Sequence, residues 1–285
     1  MKVFLSVDME GISGLVRWMD VSPRGIDFER NRRLMTLDAN AAIAGAFEAG
    51  AREVVVEENH GVEDLCVLLT EEIDPRCSVV RGAGRPGPTT MAGLDDSVDV
   101  VFLVGHHAAA GTWPGIMAHT VSGGRFRSVR LGGARVGEPD LFAIRAGEVG
   151  ASVGLVTGDQ MVIEELRKRV PEVESVQVKK ALGRQAAEVI PPPRAREAIR
   201  VGAQRAVERA AAGELAPYQG EPAPYEIEVE LIEPPDEAMR ANLASLPEFD
   251  LVDERTVATD APDMDLGFRR IAYLSYADMP GRTRY

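Results

Sequence analysis

Residues 3–11 read VFLSVDMEG, an apolar run that ends abruptly in two acidic residues and a glycine. A short, nearly continuous apolar run is typical of a strand whose two faces are both covered, as in a parallel sheet. Residues two apart in a strand project to the same side, so the carboxylates of Asp8 and Glu10 should point the same way. The stretch therefore predicts a buried strand whose carboxyl end carries paired acids.

The alternation of strand and helix continues outward from this stretch through the first half of the chain. Apolar residues at spacings of three and four predict a helix from about 27 to 49. Further strands are predicted at 53–56, 98–104 and 152–157, with a helix at about 160–169 and a hairpin around Gly132-Gly133. This βαβ order predicts an α/β fold with a mostly parallel, doubly wound sheet.

The second half of the chain has a different pattern. Three consecutive prolines at 191–193 precede a predicted helix at about 194–212, and a strand at 225–232 alternates apolar residues with glutamates. A helix near 234, a strand at 255–259 and a helix at 264–276 complete it. We place a domain boundary near residue 180, which gives a larger α/β domain over 1–180 and a smaller α+β domain over 181–285.

Composition excludes several classes of protein. The 285 residues carry a net charge of −13, which argues against nucleic acid and against anionic membrane surfaces as partners. No apolar run approaches the roughly 18 residues of a membrane-spanning helix. The amino terminus reads as a strand and not as a signal peptide, and two cysteines are too few for a disulfide scaffold, so we expect a cytoplasmic protein.

The histidines indicate where the chemistry lies. The chain has four: His60, His106, His107 and His119. The first three follow predicted strands, and ligands of open α/β sheets bind beyond the carboxyl ends of strands. We therefore expect His60 and the His106/His107 pair to converge with the two acids after the first strand. Solvated acids and buried or capped histidines are the alternative interpretation of the same residues.

Carboxylate and imidazole ligands without thiolates suit Zn²⁺, Mn²⁺ or Co²⁺ in a catalytic centre. Several carboxylates around two or three histidines suggest two ions that share a carboxylate and activate water. Composition alone favours a solvated Glu138 at the exit of the hairpin. It leaves two interpretations for His119, in a loop with proline and glycine: an imidazole held over the site, or an ordinary surface residue.

The motifs resemble one known family. Ser6 to Gly11 has the Ser-x-Asp-x-Glu-Gly signature of bacterial D-aminopeptidases related to the dipeptide-transport-operon enzyme, metallopeptidase family M55. The resemblance continues through Asn59-His60, the segment 105–108, the segment 114–119 and Val136 to Glu138, and so covers most of the first 160 residues.

The resemblance implies a dinuclear zinc enzyme that removes N-terminal D-residues from short peptides. It also implies a homodecamer around an internal chamber, with the smaller domain in oligomerisation and the chamber wall. It selects His107 over His106, which spacing could not do, and it makes His119 the catalytic histidine. The family's metal ligands fall on Asp8, Glu10, His60, His107 and Glu138.

We therefore predict a dinuclear-metal aminopeptidase for short peptides that uses metal-activated water. We expect His119 to act as a proton shuttle or oxyanion stabiliser, whereas the family resemblance favours His119 as a nucleophile. A dinuclear phosphoesterase and a non-catalytic peptide-binding module of the same fold are the alternatives. Residues 82–87 match G-x-G-x-x-G, but Pro86 and Pro88 remove backbone donors, which argues against dinucleotide binding.

Overall fold

The computed structural model describes residues 1–85 and 90–276. In chain order, the strands are β1 (Lys2–Val7), β2 (Glu53–Glu58), β3 (Ser78–Val80), β4 (Val100–Val104), β5 (Phe126–Leu131), β6 (Ala134–Arg135), β7 (Ser152–Asp159), β8 (Glu174–Ala181), β9 (Ala187–Val189), β10 (Tyr225–Leu231), β11 (Asp250–Leu251) and β12 (Thr256–Ala261). The α-helices are α1 (Phe28–Glu48), α2 (Glu138–Glu148), α3 (Gln160–Leu166), α4 (Pro192–Ala211), α5 (Glu237–Ala244) and α6 (Met264–Leu274).

Seven strands form a sheet in the order β3-β2-β1-β4-β7-β8-β9. All neighbours in it are parallel except β8 and β9. β1 lies between β2 and β4, and its Val7 is in register with Glu58 on β2 and with Val104 on β4. The α/β fold with a mostly parallel sheet is thereby confirmed, and the carboxyl ends of β1, β2 and β4 meet at one edge.

Apolar clusters cover both faces of this sheet. On one face α1 packs against α4, with side chains such as Ile43 and Ile199 fully buried. On the other face α2, α3 and α6 share a cluster with the second sheet. None of the helices in the described part of the chain is long and apolar enough to cross a bilayer.

The second sheet is antiparallel and has the order β11-β12-β10-β5-β6. The hairpin predicted around Gly132-Gly133 is present as β5 and β6, and β5 pairs with β10. Strands from both sides of residue 180 therefore share one sheet, while α4, which follows residue 180, packs on the first sheet. The division into 1–180 and 181–285 stays a prediction.

Most predicted elements are present with shifted ends. The strand predicted from 98 begins at Val100, and the helix predicted to 169 ends at Leu166. The predicted helix near 234 begins at Glu237, where the Asp236 carboxylate accepts a hydrogen bond from Met239 N and so caps the helix. Of the G-x-G-x-x-G segment, residues 86 and 87 lie outside the described residues.

Candidate metal centre

The segment after β1 is fixed to the ends of both neighbouring strands. Backbone hydrogen bonds run from Asp8 N to Val104 O (2.9 Å), from Gly11 N to Gly105 O (2.7 Å) and from Asn59 N to Val7 O (2.9 Å). A Cβ at Gly11 would lie 2.0 Å from the His106 carbonyl oxygen, so only glycine permits this approach. Backbone hydrogen bonds therefore hold this edge of the sheet together without a metal ion.

Asp8, Glu10 and His60 form the first group of the centre. His60 Nδ1 lies 3.0 Å from Glu10 Oε2 and 3.4 Å from Asp8 Oδ1, and all three side chains are buried. On its other side, His60 Nε2 donates to the Val21 carbonyl oxygen at 2.9 Å. Because that hydrogen bond holds the proton on Nε2, Nδ1 can present a lone pair toward the two carboxylates.

His107 and Glu138 form the second half of the centre together with the other oxygen of Asp8. His107 Nε2 lies 3.3 Å from Asp8 Oδ2 and 3.4 Å from Glu138 Oε1. His107 Nδ1 donates to the Ala108 carbonyl oxygen at 3.1 Å, which again directs the free nitrogen at the acids. The two oxygens of Asp8 thus face two different imidazoles.

Glu138 is the first residue of α2, and its carboxylate is oriented by two donors from other segments. Oε1 accepts from Val121 N at 2.8 Å, and Oε2 accepts from Asn59 Nδ2 at 3.3 Å. Sequence reasoning quoted Asn59 only as part of a motif and gave it no role. Its position beside His60 at a strand end was the available signal.

His119 lies beside the second half. Its Nδ1 donates to the Met117 carbonyl oxygen at 2.9 Å, and its Nε2 lies 3.9 Å from Glu138 Oε1. The ring stacks on that of His107, with centroids 3.9 Å apart, and Trp18 packs edge-on at 5.3 Å. Sequence reasoning did not identify Trp18.

His106 is fully buried but lies less directly on the centre. Its Nδ1 is 3.9 Å from Asp8 Oδ2, and its ring packs edge-on against Phe142 at 5.4 Å. His107, by contrast, reaches both acids. This difference agrees with the choice of His107 that the family resemblance made.

The acids and imidazoles shift one another's pKa values. Burial acts to raise the pKa of Asp8, but hydrogen bonds from His107 and His60 hold that pKa well below its usual range. Burial also acts against ionised Glu138, yet the charge and hydrogen bond of His107 lower its pKa to about 2. Burial disfavours both imidazolium ions, but Glu10 and Asp8 raise the pKa of His60 well above 6.5, and Glu138 and Asp8 do the same for His107. Burial and the charge of His107 lower the pKa of His119.

The donor set fits divalent transition metals. The six predicted residues form two groups of three, and within each group the ligand atoms lie within 4.8 Å of one another: Asp8, Glu10 and His60; His107, His119 and Glu138. Carboxylate oxygens and imidazole nitrogens with fixed tautomers are ligands that Zn²⁺ takes in catalytic sites. The structure thus brings together all six residues that the sequence nominated, while their individual roles stay predictions.

A cavity of about 360 Å³ opens beside these residues. Asp8, Glu10, His119 and Glu138 line it, together with Tyr276, just after α6. No lysine or arginine is among the described residues that line it. The cavity is large enough to hold a few residues of a peptide ligand.

Comparisons with known proteins identify the family. A family model described as peptidase M55, D-aminopeptidase, matches residues 1–272. The D-aminopeptidase of Bacillus subtilis (strain 168) is 35% identical over 195 residues, which are 68% of this chain and 69% of that relative. A solved structure, the Zn-dependent D-aminopeptidase DppA from Bacillus subtilis, a self-compartmentalizing protease, superposes with a TM-score of 0.89 at 28% identity over 100% of both chains.

The fold, the buried acid–imidazole cluster and these matches define an enzyme of the metallopeptidase class. The chain belongs to the D-aminopeptidase family.

Proposed function

We propose that the protein is a dinuclear-metal aminopeptidase that hydrolyses the N-terminal amide bond of short peptides, with D-residues at the N-terminus. The observation that carries the proposal is the placement of Asp8. Its Oδ1 faces His60 and its Oδ2 faces His107, at 3.4 and 3.3 Å, as a carboxylate shared by two cations would. Asp8, Glu10, His60, His107 and Glu138 would hold the ions, with zinc as the expected metal and Mn²⁺ or Co²⁺ as substitutes.

Two such ions, when bound, lower the pKa of water toward ~7 and polarise the scissile carbonyl. The chain's own contribution is to keep the carboxylates ionised and the imidazole tautomers fixed, as the pKa of Glu138 near 2 and the carbonyl partners of His60 and His107 indicate. The cavity orients the peptide beside them.

His119 is suited to move a proton. Its Nδ1–H donates to Met117 O, so Nε2 carries the lone pair and faces the centre. Because burial lowers its pKa, the ring is neutral at pH 7 and can accept a proton and pass it to the leaving amine. Proton transfer by a positioned side chain contributes about 10²–10⁴-fold to rate.

The charge of the cavity favours a peptide over a phosphate ester. Its charged lining is acidic at Asp8, Glu10, Asp64 and Glu138, which suits the cationic α-amine of a peptide. A phosphoesterase would be expected to place lysine or arginine beside the substrate phosphate, and the described lining residues include neither.

The relative described as self-compartmentalizing supports an oligomer, and we propose the homodecamer that the family resemblance implies. Trp113 and Leu182 are 69% and 61% exposed, so these apolar side chains are available for subunit contacts. Light scattering at several concentrations tests this: a monomer throughout would refute it.

The decisive experiment combines elemental analysis with a substrate panel. We expect two zinc ions per chain and release of the N-terminal residue from D-Ala-D-Ala, with slower hydrolysis of L-Ala-L-Ala and none of p-nitrophenyl phosphate. Glu138→Gln protein, purified identically, controls for contaminating peptidases. Metal-free protein that added Zn²⁺, Mn²⁺ and Co²⁺ leave inactive would favour the binding module, and turnover of the phosphate alone would favour the phosphoesterase.

A further inference from the structure

Lys179, on β8, is buried without any exposed surface, which is rare for lysine. Its Nζ donates to the carbonyl oxygens of Glu10 at 2.6 Å, Ile12 at 3.0 Å and Leu15 at 2.6 Å. An ammonium group has three donors, so all three are used on one short segment. The family resemblance and the proposed ligand set assign nothing to this residue.

The segment that Lys179 binds is the one that leaves β1 and carries two of the proposed metal ligands. Residues 9–15 belong to no strand or α-helix, so apart from turn hydrogen bonds from Ile12 N to Met9 O (3.2 Å) and from Leu15 N to Ile12 O (3.3 Å), no regular hydrogen-bond ladder fixes their carbonyls. Three carbonyl oxygens converge on the ammonium group, and this brings Glu10, Ile12 and Leu15 around a single point. The Glu10 carbonyl is thereby held toward β8 while the Glu10 carboxylate lies 3.0 Å from His60.

A second buried charge supports the same segment. Asp38, on α1, accepts from Ser13 N at 2.8 Å and from Ser13 Oγ at 2.9 Å. Asp38 is in turn paired with Arg196 on α4 at 3.0 Å. The segment after β1 is thus fixed by charged side chains from the surrounding elements, and Lys179 binds the backbone of Glu10, a proposed ligand.

The second half of the centre has separate supports. His107 is oriented by Ala108 O, and Glu138 by Val121 N and Asn59 Nδ2. None of these contacts involves the segment that Lys179 holds. Asp8 is shared by both halves, and Gly11 N donates to Gly105 O near the second, but Glu10 meets His60 in the first half alone. A defect at the Glu10 backbone should therefore act more strongly on the first half than on the second.

We propose that Lys179 is a positioning residue for the Asp8–Glu10–His60 group, which sets the backbone from which Glu10 meets His60. The inference rests on the proposed function in that these residues bind a metal ion. Its signature is asymmetry: loss of Lys179 weakens metal binding by the first group much more than binding by the second group.

The test measures Zn²⁺ binding to chelator-stripped, full-length protein by calorimetric titration. Lys179→Met is introduced into two backgrounds: His107→Ala, which retains the first group, and His60→Ala, which retains the second. We expect Lys179→Met to weaken binding by about 10–100-fold in the His107→Ala background, the range for loss of a supporting partner. In the His60→Ala background we expect less than a twofold change.

Lys180→Met is the matched control, because Lys180 is the exposed neighbour on the same strand. Circular dichroism and the melting temperature of the metal-free proteins report folding. If Lys179→Met does not fold, Lys179→Gln, which retains two donors, carries the same comparison with a smaller effect.

Equal weakening in both backgrounds would show a general structural role and overturn the proposal, as would no weakening in either. If the unsubstituted protein binds two ions while Lys179→Met changes nothing, only this inference fails. If the unsubstituted protein binds no zinc at all, the proposed function fails with it.

Discussion

The first sheet ends in acidic residues that are buried, whereas β10 of the second sheet carries acidic residues that face solvent or are only half-buried. Asp8 and Glu10 follow β1 and pack against imidazoles, while Glu226 and Glu228 alternate with buried apolar residues on β10. The residue type is the same in both places. Burial makes the difference, because a buried carboxylate needs a partner and a solvated one does not.

A further contrast lies within the first sheet, between two kinds of partner. Glu57, at the end of β2, is buried against Arg85, whose Nη1 lies 2.5 Å from its Oε1. A guanidinium cannot give up its proton, so this pair is structural. Asp8 is paired with imidazoles, which can lose a proton and then serve as metal ligands. The type of cationic partner thus distinguishes the Glu57–Arg85 pair, which is structural, from Asp8 and its histidines, which form a candidate metal site.

Among substitutions that compare the two sheets, Glu138→Gln should give the largest loss of activity. It keeps the shape of the side chain but removes a charge that His107 needs at 3.4 Å. We expect peptidase activity to fall by more than the roughly 10–100-fold that is typical when a residue that only orients a metal ligand is removed. Glu228→Gln on β10 is the control, and we expect unchanged activity and a free energy of unfolding within about 0.5 kcal/mol of the original. Comparable losses from both substitutions would erase the distinction between the sheets.

His119→Ala tests whether the stacked imidazole beside the centre does chemistry. We expect kcat to fall by about 10²–10⁴-fold while both ions stay bound, since removal of a proton shuttle leaves the ligands in place. Steady-state kinetics with elemental analysis of the same sample measures both. Near-full activity would remove His119 from the mechanism, and loss of one ion would make it a ligand.

Asn59→Ala should have an intermediate effect. It removes the donor to Glu138 Oε2 while Val121 N still orients the other oxygen. We expect zinc affinity to fall by roughly 10–100-fold, as for other partners that orient a ligand. A competition titration with a chelator measures it. Unchanged affinity would mean that the Val121 hydrogen bond alone fixes the carboxylate.

The smallest expected effect is the pH dependence of the stability of the metal-free protein, which reports directly on the ionised groups of the centre. The folded pKa values of His60 and His107 are raised above 6.5, so the stability they add is complete below pH 6.5 and is lost as pH rises through their folded values. The lowered pKa values of Asp8 and Glu138 add stability above their ordinary values of 3.8 and 4.5, which is lost in acid.

Melting temperatures of chelator-treated protein should therefore be highest between about pH 4.5 and 6.5. With zinc bound, the decline above pH 6.5 should disappear, because the ions replace the protons on the imidazoles. A decline of equal size with and without zinc would place its cause outside the centre.

The sequence by itself determined the βαβ order and the residues at the ends of β1, β2 and β4. Apolar runs that stop in acids or histidines place polar groups at one sheet edge once the strands are parallel neighbours. The motif resemblance added Glu138, which composition alone favours as a solvated residue, and decided for His119, for which the residues alone left two interpretations open.

Only the tertiary structure decided which distant segments support that edge. The pairing of β5 with β10 depends on hydrogen bonds between residues about a hundred positions apart. The contact of Lys179 with the Glu10 carbonyl likewise leaves no periodic signal, because a single lysine within a strand reads like any other. Local patterns record which face of an element is apolar, but long-range partners are chosen by packing, so they become visible only when the chain is folded.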